Sequence, residues 1–115
     1  MTNRLPQHTD FDVNVDGIGR FVFAKRTMDD EIAIQREYAS IVQGVEPTQW
    51  LEMMGGWLSV LRVLTVRGPA QWDIDAMDPL DEKTYERLNK VYQALRDKER
   101  SFRSGSGSAG EAVGA

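Results

Sequence analysis

The 115-residue sequence has no cysteine, which excludes disulfide staples, thiol nucleophiles and thiolate metal sites. Its single histidine, His8, cannot build a multi-histidine metal centre. No apolar run approaches the roughly 20 residues needed to cross a bilayer. The start, Met1-Thr2-Asn3-Arg4-Leu5-Pro6, lacks the apolar stretch of a secretory signal. A soluble cytoplasmic protein is therefore the expectation, with no membrane contact. Basic excess is missing too: 14 lysines and arginines face 18 acids, a net charge of −4. That balance argues against a nucleic-acid binder that works by phosphate neutralisation. What is present is 41% hydrophobic residues, too many for wholesale disorder, in a length that fits one domain.

The texture of the chain divides it into a flexible N-terminal arm over 1–10, one domain over 11–103 and a flexible Gly/Ser-rich tail over 104–115. Within the domain, Phe11, Val13 and Val15 alternate with polar residues, and the alternation resumes at Phe21 and Phe23. This reads as a hairpin over 11–26. A three-residue loop, Gly17 to Gly19, sets Asp16 against Arg20, Val15 against Phe21 and Val13 against Phe23. A four-residue loop from Asp16 would put Arg20 opposite Val15 on the apolar face, so the shorter loop is preferred. A lone hairpin is marginal in water, so its Phe/Val face must pack on something else.

After Thr27 the period changes from two to about 3.6. Thr27 and Asp30 have capping-box spacing, and Ile34, Tyr38 and Ile41 continue a helix over 28–43 that Gly44 ends. Pro47 opens a second helix, 47–66, with Trp50, Met54, Trp57, Leu58, Leu61 and Leu64 along one side. Leu51, Met53, Val60 and Val63 spread its apolar character further round, as in a central helix or one covered by a partner. Gly55-Gly56 interrupts it, for close helix packing or for a kink. Asp78-Pro79-Leu80-Asp81 reads as the start of a third helix, 79–102, with a stripe of Leu80, Thr84, Leu88, Val91, Leu95 and Phe102. The expected fold is α+β, mainly α-helical: an N-terminal β-hairpin packed on about three helices, with a disordered C-terminal tail.

No constellation carries chemistry. Asp73, Asp75, Asp78 and Asp81 suggest calcium, but a loop opened at Asp73 has Asp78 where glycine is needed and Thr84 where glutamate is needed. Gly17-Ile18-Gly19 lacks the following helix of a phosphate loop. Arg20, Lys25 and Arg26 lie near the hairpin and Arg96, Lys98, Arg100 and Arg103 near the last helix end, where Asp97 and Glu99 break the field. No catalytic, cofactor-binding or metal residue is assigned, and no enzyme activity is expected. A domain of this size buries a limited number of large side chains. Trp50, Met53, Trp57 and Val60 on the second helix are therefore the candidate protein-binding residues.

One order of motifs is familiar. Phe21-Val22-Phe23-Ala24-Lys25-Arg26-Thr27 leads into an acidic helix start. It is followed by Leu61-Arg62-Val63-Leu64-Thr65-Val66, Pro69-Ala70-Gln71-Trp72-Asp73, Leu80-Asp81 and Glu99-Arg100-Ser101-Phe102-Arg103. This resembles the small tail assembly chaperones of long-tailed bacteriophages and prophages, over about residues 11–103. The resemblance implies a non-enzymatic assembly factor in the host bacterial cytoplasm, absent from the mature virion. Such proteins bind and solubilise the tape measure protein and help recruit major tail protein. In many such phages a frameshift adds a second domain that engages the tail tube subunit, and the Gly/Ser tail is a place where it could be joined. The family supplies no residue set to carry over. Self-association stays open. So does the alternative of a small structural or connector component of the particle, with a small regulatory protein third.

Overall fold

The computed structural model describes residues 4–44, 46 and 48–114, with side chains through Arg103. The alternating segments form β1 (Phe11–Val15) and β2 (Gly19–Phe23), paired antiparallel. Their register differs from the expected one by two residues: Val15 faces Gly19 and Val13 faces Phe21. The turn is Asp16-Gly17-Ile18. The Ile18 N–H donates to the Val15 carbonyl (3.0 Å) and Gly17 takes the positive φ, +80°, at the third turn position. Gly19 belongs to the strand instead, at φ +144°, where a Cβ would lie 2.5 Å from Pro69 Cγ. A slip of two leaves every side chain on its own face. The inward set of Val13, Val15, Phe21 and Phe23 is accordingly buried.

The hairpin is not alone. A third strand, β3 (Thr65–Arg67), pairs antiparallel with β2, giving the order β1-β2-β3. Thr65 and Val66 were expected to end the second helix. Their branched side chains suit an extended backbone, and the free edge of β2 offers hydrogen bonds there. The Ala24 N–H reaches the Leu64 carbonyl at 2.8 Å, just where helix gives way to strand.

Helix α1 (Met28–Val42) begins with the expected capping box. Thr27 Oγ1 accepts from the Asp30 N–H (3.2 Å) and Asp30 Oδ2 accepts from the Thr27 N–H (3.0 Å). Asp30 is also buried, and Arg4 meets it: Nη1 lies 2.9 Å from Oδ1 and Nη2 3.2 Å from Oδ2. Arg4 Nη1 donates as well to the Val63 carbonyl, 3.0 Å away. The arm read as loose over 1–10 is thus tied down at Arg4, because a buried carboxylate needs a cation. Residues 1–3 of that arm lie outside the described residues.

Helix α2 (Gln49–Leu64) is capped by Thr48, whose Oγ1 accepts from the Leu51 N–H at 3.0 Å. Pro47, the expected opening residue, lies outside the described residues. Gly55 brings α2 against α1: a Cβ there would meet the Tyr38 ring at 3.0 Å. Gly56 has nothing within 4 Å of the same position, so close packing accounts for one glycine of the pair.

Helix α3 (Glu82–Gly114) starts three residues later than expected. Asp78 Oδ1 accepts from the Leu80 N–H (2.9 Å) and closes a turn, while Asp81 Oδ1 accepts from the Lys83 N–H (2.9 Å) as the cap. Leu80 is 91% exposed and leaves the expected stripe. Thr84, Leu88, Val91 and Leu95 remain on its buried side, and Phe102 meets Phe11 edge-on at 4.8 Å. The helix runs past the closure expected near 102. The expected tail over 104–115 falls where side chains lie outside the described residues. The core joins the sheet, α2 and α3 through Phe21, Phe23, Leu61, Leu64, Val91 and Leu95, and Trp72 enters it edge-on to Phe21 at 5.0 Å.

Candidate interaction surface

Helix α2 is enclosed at one end and open at the other. In its last two turns Ser59, Val60, Leu61 and Leu64 are buried. At its start Gln49, Trp50, Glu52 and Met53 are all exposed. The four candidate residues consequently separate. Trp50 is 50% exposed and Met53 40%, three residues apart and therefore neighbours on one helix face. Trp57 is half-buried, its ring 6.3 Å from that of Tyr92 on α3. Val60 is 7% exposed and belongs to the core. Val60 is thus withdrawn from the surface, since α2 at that depth is packed on nearly all sides.

In sequence the exposed apolar pair is flanked by acids. From Gln43 to Met53 the charged residues are Glu46 and Glu52, with no lysine or arginine; both glutamates are exposed. Glu52 lies in the first turn of α2, where a negative charge faces the positive end of the helix dipole. The surface combines an aromatic ring, a pliable thioether and two carboxylates. An aromatic ring and a thioether beside carboxylates are chemically suited to an apolar stripe flanked by positive charge.

Several arginines elsewhere are engaged by carboxylates. Arg26 bonds Glu31 (2.9 Å) and Glu99 (3.1 Å), joining the hairpin exit to α1 and α3, and Arg96 also meets Glu99 at 2.7 Å. Arg100 pairs with Asp97. Burial opposes the charge on Arg26, but hydrogen bonds and charges from Glu31 and Glu99 outweigh it and raise its pKa above the usual value. Lys25 and Arg103 line the same groove as Arg26, Arg96 and Arg100, with Glu99 as the one carboxylate of its lining, so the groove stays positive.

A second arginine, Arg62 on α2, spans Glu37 on α1 (2.7 Å) and Asp75 (2.6 Å) in the connection after β3. Burial again opposes its charge, and the two carboxylates more than compensate and raise its pKa. This bridge was not visible in the sequence, because its partners stand 25 and 13 residues away. Asp73, Asp75, Asp78 and Asp81 are exposed. Among the described residues no group of three or more acids or histidines is placed to hold a metal ion, and no helix is long and apolar enough to cross a membrane.

No family model matches the chain, and no curated protein or solved structure matches it either.

Proposed function

We propose that this protein is a non-enzymatic tail assembly chaperone of a phage or prophage, which binds and solubilises the tape measure protein through the start of α2. The observation that carries this reading is the exposed Trp50–Met53 pair on a helix whose other end is core. An aromatic and a methionine held out of the core on a rigid helix suit an amphipathic client helix, whose own apolar stripe aggregates unless covered. Glu46 and Glu52 favour a client with basic residues beside that stripe. The order of motifs that resembles the chaperone family supports the tape measure protein as the client. On this reading the protein acts in the host bacterial cytoplasm, is absent from the mature virion and reaches major tail protein through an extended form.

Co-expression with the tape measure protein tests the reading. The expected result is a soluble complex recovered by pull-down, from a client that is insoluble alone. A client equally insoluble with and without this protein overturns it. Recovery of this chain in purified particles moves the assignment to a structural or connector component.

A further inference from the structure

The positive groove between the hairpin exit and α3 has a volume of about 580 Å³ and shares no residue with the Trp50–Met53 face. Lys25 and Arg26 line it from the hairpin exit, and Arg96, Arg100 and Arg103 line it from α3. The α3 arginines stand at i, i+4 and i+7, along one face of the helix. Five cations thus meet one carboxylate, Glu99, which Arg26 and Arg96 already hold. Lys25 and Arg103 are exposed and enter no hydrogen bond or ion pair among the described residues. Like charges at these spacings repel, so the free protein gains nothing by gathering them here.

Gly56 supplies an independent sign of an occupant. A second hollow, about 330 Å³, shares Arg26 and Arg96 with the first and continues it between α1 and α3. Gly56, Ser59 and Val60 line it from α2 at i, i+3 and i+4, so this face of α2 forms its floor. Tyr38 on α1 and Tyr92 on α3 line the same hollow. Glycine weakens a helix relative to alanine, and the fold itself gives no reason for one here. An added Cβ at Gly56 has no atom within 4 Å, whereas at Gly55 it meets the Tyr38 ring. Glycine also serves where a ligand approaches the backbone closely. The hollow leaves room for a side chain over Gly56, beside two tyrosine rings.

We infer that the joined grooves are a second recognition site, which takes a short acidic segment of a partner polypeptide. Its carboxylates meet Lys25, Arg100 and Arg103, and an apolar side chain of the same segment lies over Gly56. Guanidinium forks match carboxylates, and Arg26 already holds two, Glu31 at 2.9 Å and Glu99 at 3.1 Å. A short segment suits the site better than a nucleic-acid strand. With a net charge of −4 on the whole chain, the surface outside the groove is acidic and repels a long polyanion. The site goes beyond the proposed chaperone surface and stands or falls separately, because it uses different residues and the opposite charge.

The test follows the Gly56 amide and the Arg103 Nε–H by NMR in the isolated full chain. The probes are a capped peptide with a leucine among several glutamates, the same peptide with glutamines instead, and a single-stranded oligothymidylate of equal charge. The glutamate peptide is expected to shift both signals, with binding that weakens as salt is added. Lys25→Glu together with Arg103→Glu is expected to weaken it by at least about tenfold while moving the melting temperature by less than about 2 °C. Should that pair destabilise the fold, Arg103→Gln alone is the variant to use, with an effect in the same direction. Lys83→Glu with Arg87→Glu makes the same change in net charge on exposed positions outside the groove, and is expected to leave binding within about twofold. Gly56→Ala is expected to weaken binding by at least about threefold without lowering the melting temperature. An equal shift with the glutamine peptide overturns the inference, as does binding indifferent to the Lys25 and Arg103 variants or equally weakened by the Lys83/Arg87 control. Unchanged binding by Gly56→Ala overturns the apolar anchor. Tighter binding of the oligothymidylate than of the glutamate peptide overturns the polypeptide partner. Self-association of the parent that the Lys25/Arg103 reversal abolishes overturns a separate partner in favour of a second copy.

Discussion

The two adjacent glycines of α2 provide a matched test of how α1 and α2 meet. Each glycine costs a helix about 0.8–1.0 kcal/mol relative to alanine, so propensity alone makes Gly55→Ala and Gly56→Ala equally stabilising. Their surroundings separate them. At Gly56 an added Cβ finds nothing within 4 Å. Gly56→Ala should therefore raise stability by about 0.5–1 kcal/mol and the melting temperature by about 3–6 °C. At Gly55 the new methyl would stand 3.0 and 3.1 Å from two atoms of the Tyr38 ring, with Ile41 Cγ2 behind at 3.7 Å. Overpacking of that kind costs about 1–3 kcal/mol, which cancels or exceeds the propensity gain. Gly55→Ala should consequently lose about 0–2 kcal/mol, leaving the two variants at least about 1 kcal/mol apart. Urea unfolding followed by circular dichroism measures both, with equal slopes required for the comparison. Two variants of the same stability, or a more stable Gly55→Ala, would refute the close α1–α2 contact.

Further expectations concern the two ends of the chain. Arg4→Ala leaves buried Asp30 with its capping bonds but without its guanidinium, which should cost about 1–3 kcal/mol at pH 7 in thermal or urea unfolding. Burial raises the Asp30 pKa, but bonds from Arg4 and Thr27 bring it below the usual 3.8. The stability this contributes is present above about pH 4 and lost as pH falls through the lowered value. The difference between Arg4→Ala and the parent should therefore be full at pH 6 and shrink below pH 4; a difference constant across that window would count against the ion pair. Deleting residues 104–115 removes a segment rich in glycine and serine, with little apolar area to bury, and should move the melting temperature by no more than about 2 °C. Loss of cooperative unfolding on that deletion would show that the segment packs on the domain.

Much of this architecture was legible because periodicity and capping are local. The alternation through Phe11–Val15 and Phe21–Phe23, the Thr27–Asp30 box and the stripe from Thr84 to Leu95 all appear as expected. Three of the misreadings share a cause: in each a distant group decided a local choice. Gly19 looked like a loop glycine until Pro69 packed against it. Thr65 and Val66 looked helical because the edge of β2 that extends them is more than forty positions earlier in the chain. Arg4 looked loose because its partner is Asp30. The helix start at Asp78-Pro79 fitted a cap and first-turn proline, but the Asp78 side chain turned back on Leu80 and left capping to Asp81. For the site, helix spacing put Trp50, Met53, Trp57 and Val60 on adjoining strips. It did not show which end of α2 the core would enclose, because that depends on how α1, α3 and the sheet meet it.

The chaperone reading is tested most directly by separating folding from client binding at Trp50 and Met53. Each side chain is 40–50% exposed, so only part of the roughly 1.5–3 kcal/mol available from full burial is already used in the fold. Replacing both by alanine should leave the free protein cooperatively folded, within about 5 °C of the parent melting temperature. Val60→Ala serves as the core control and should lower that temperature instead. The measurement is the amount of tape measure protein kept soluble on co-expression with each variant. The account predicts that Trp50→Ala/Met53→Ala folds yet leaves the client insoluble, whereas the parent keeps it in solution. A double variant that folds and solubilises the client as well as the parent would contradict it.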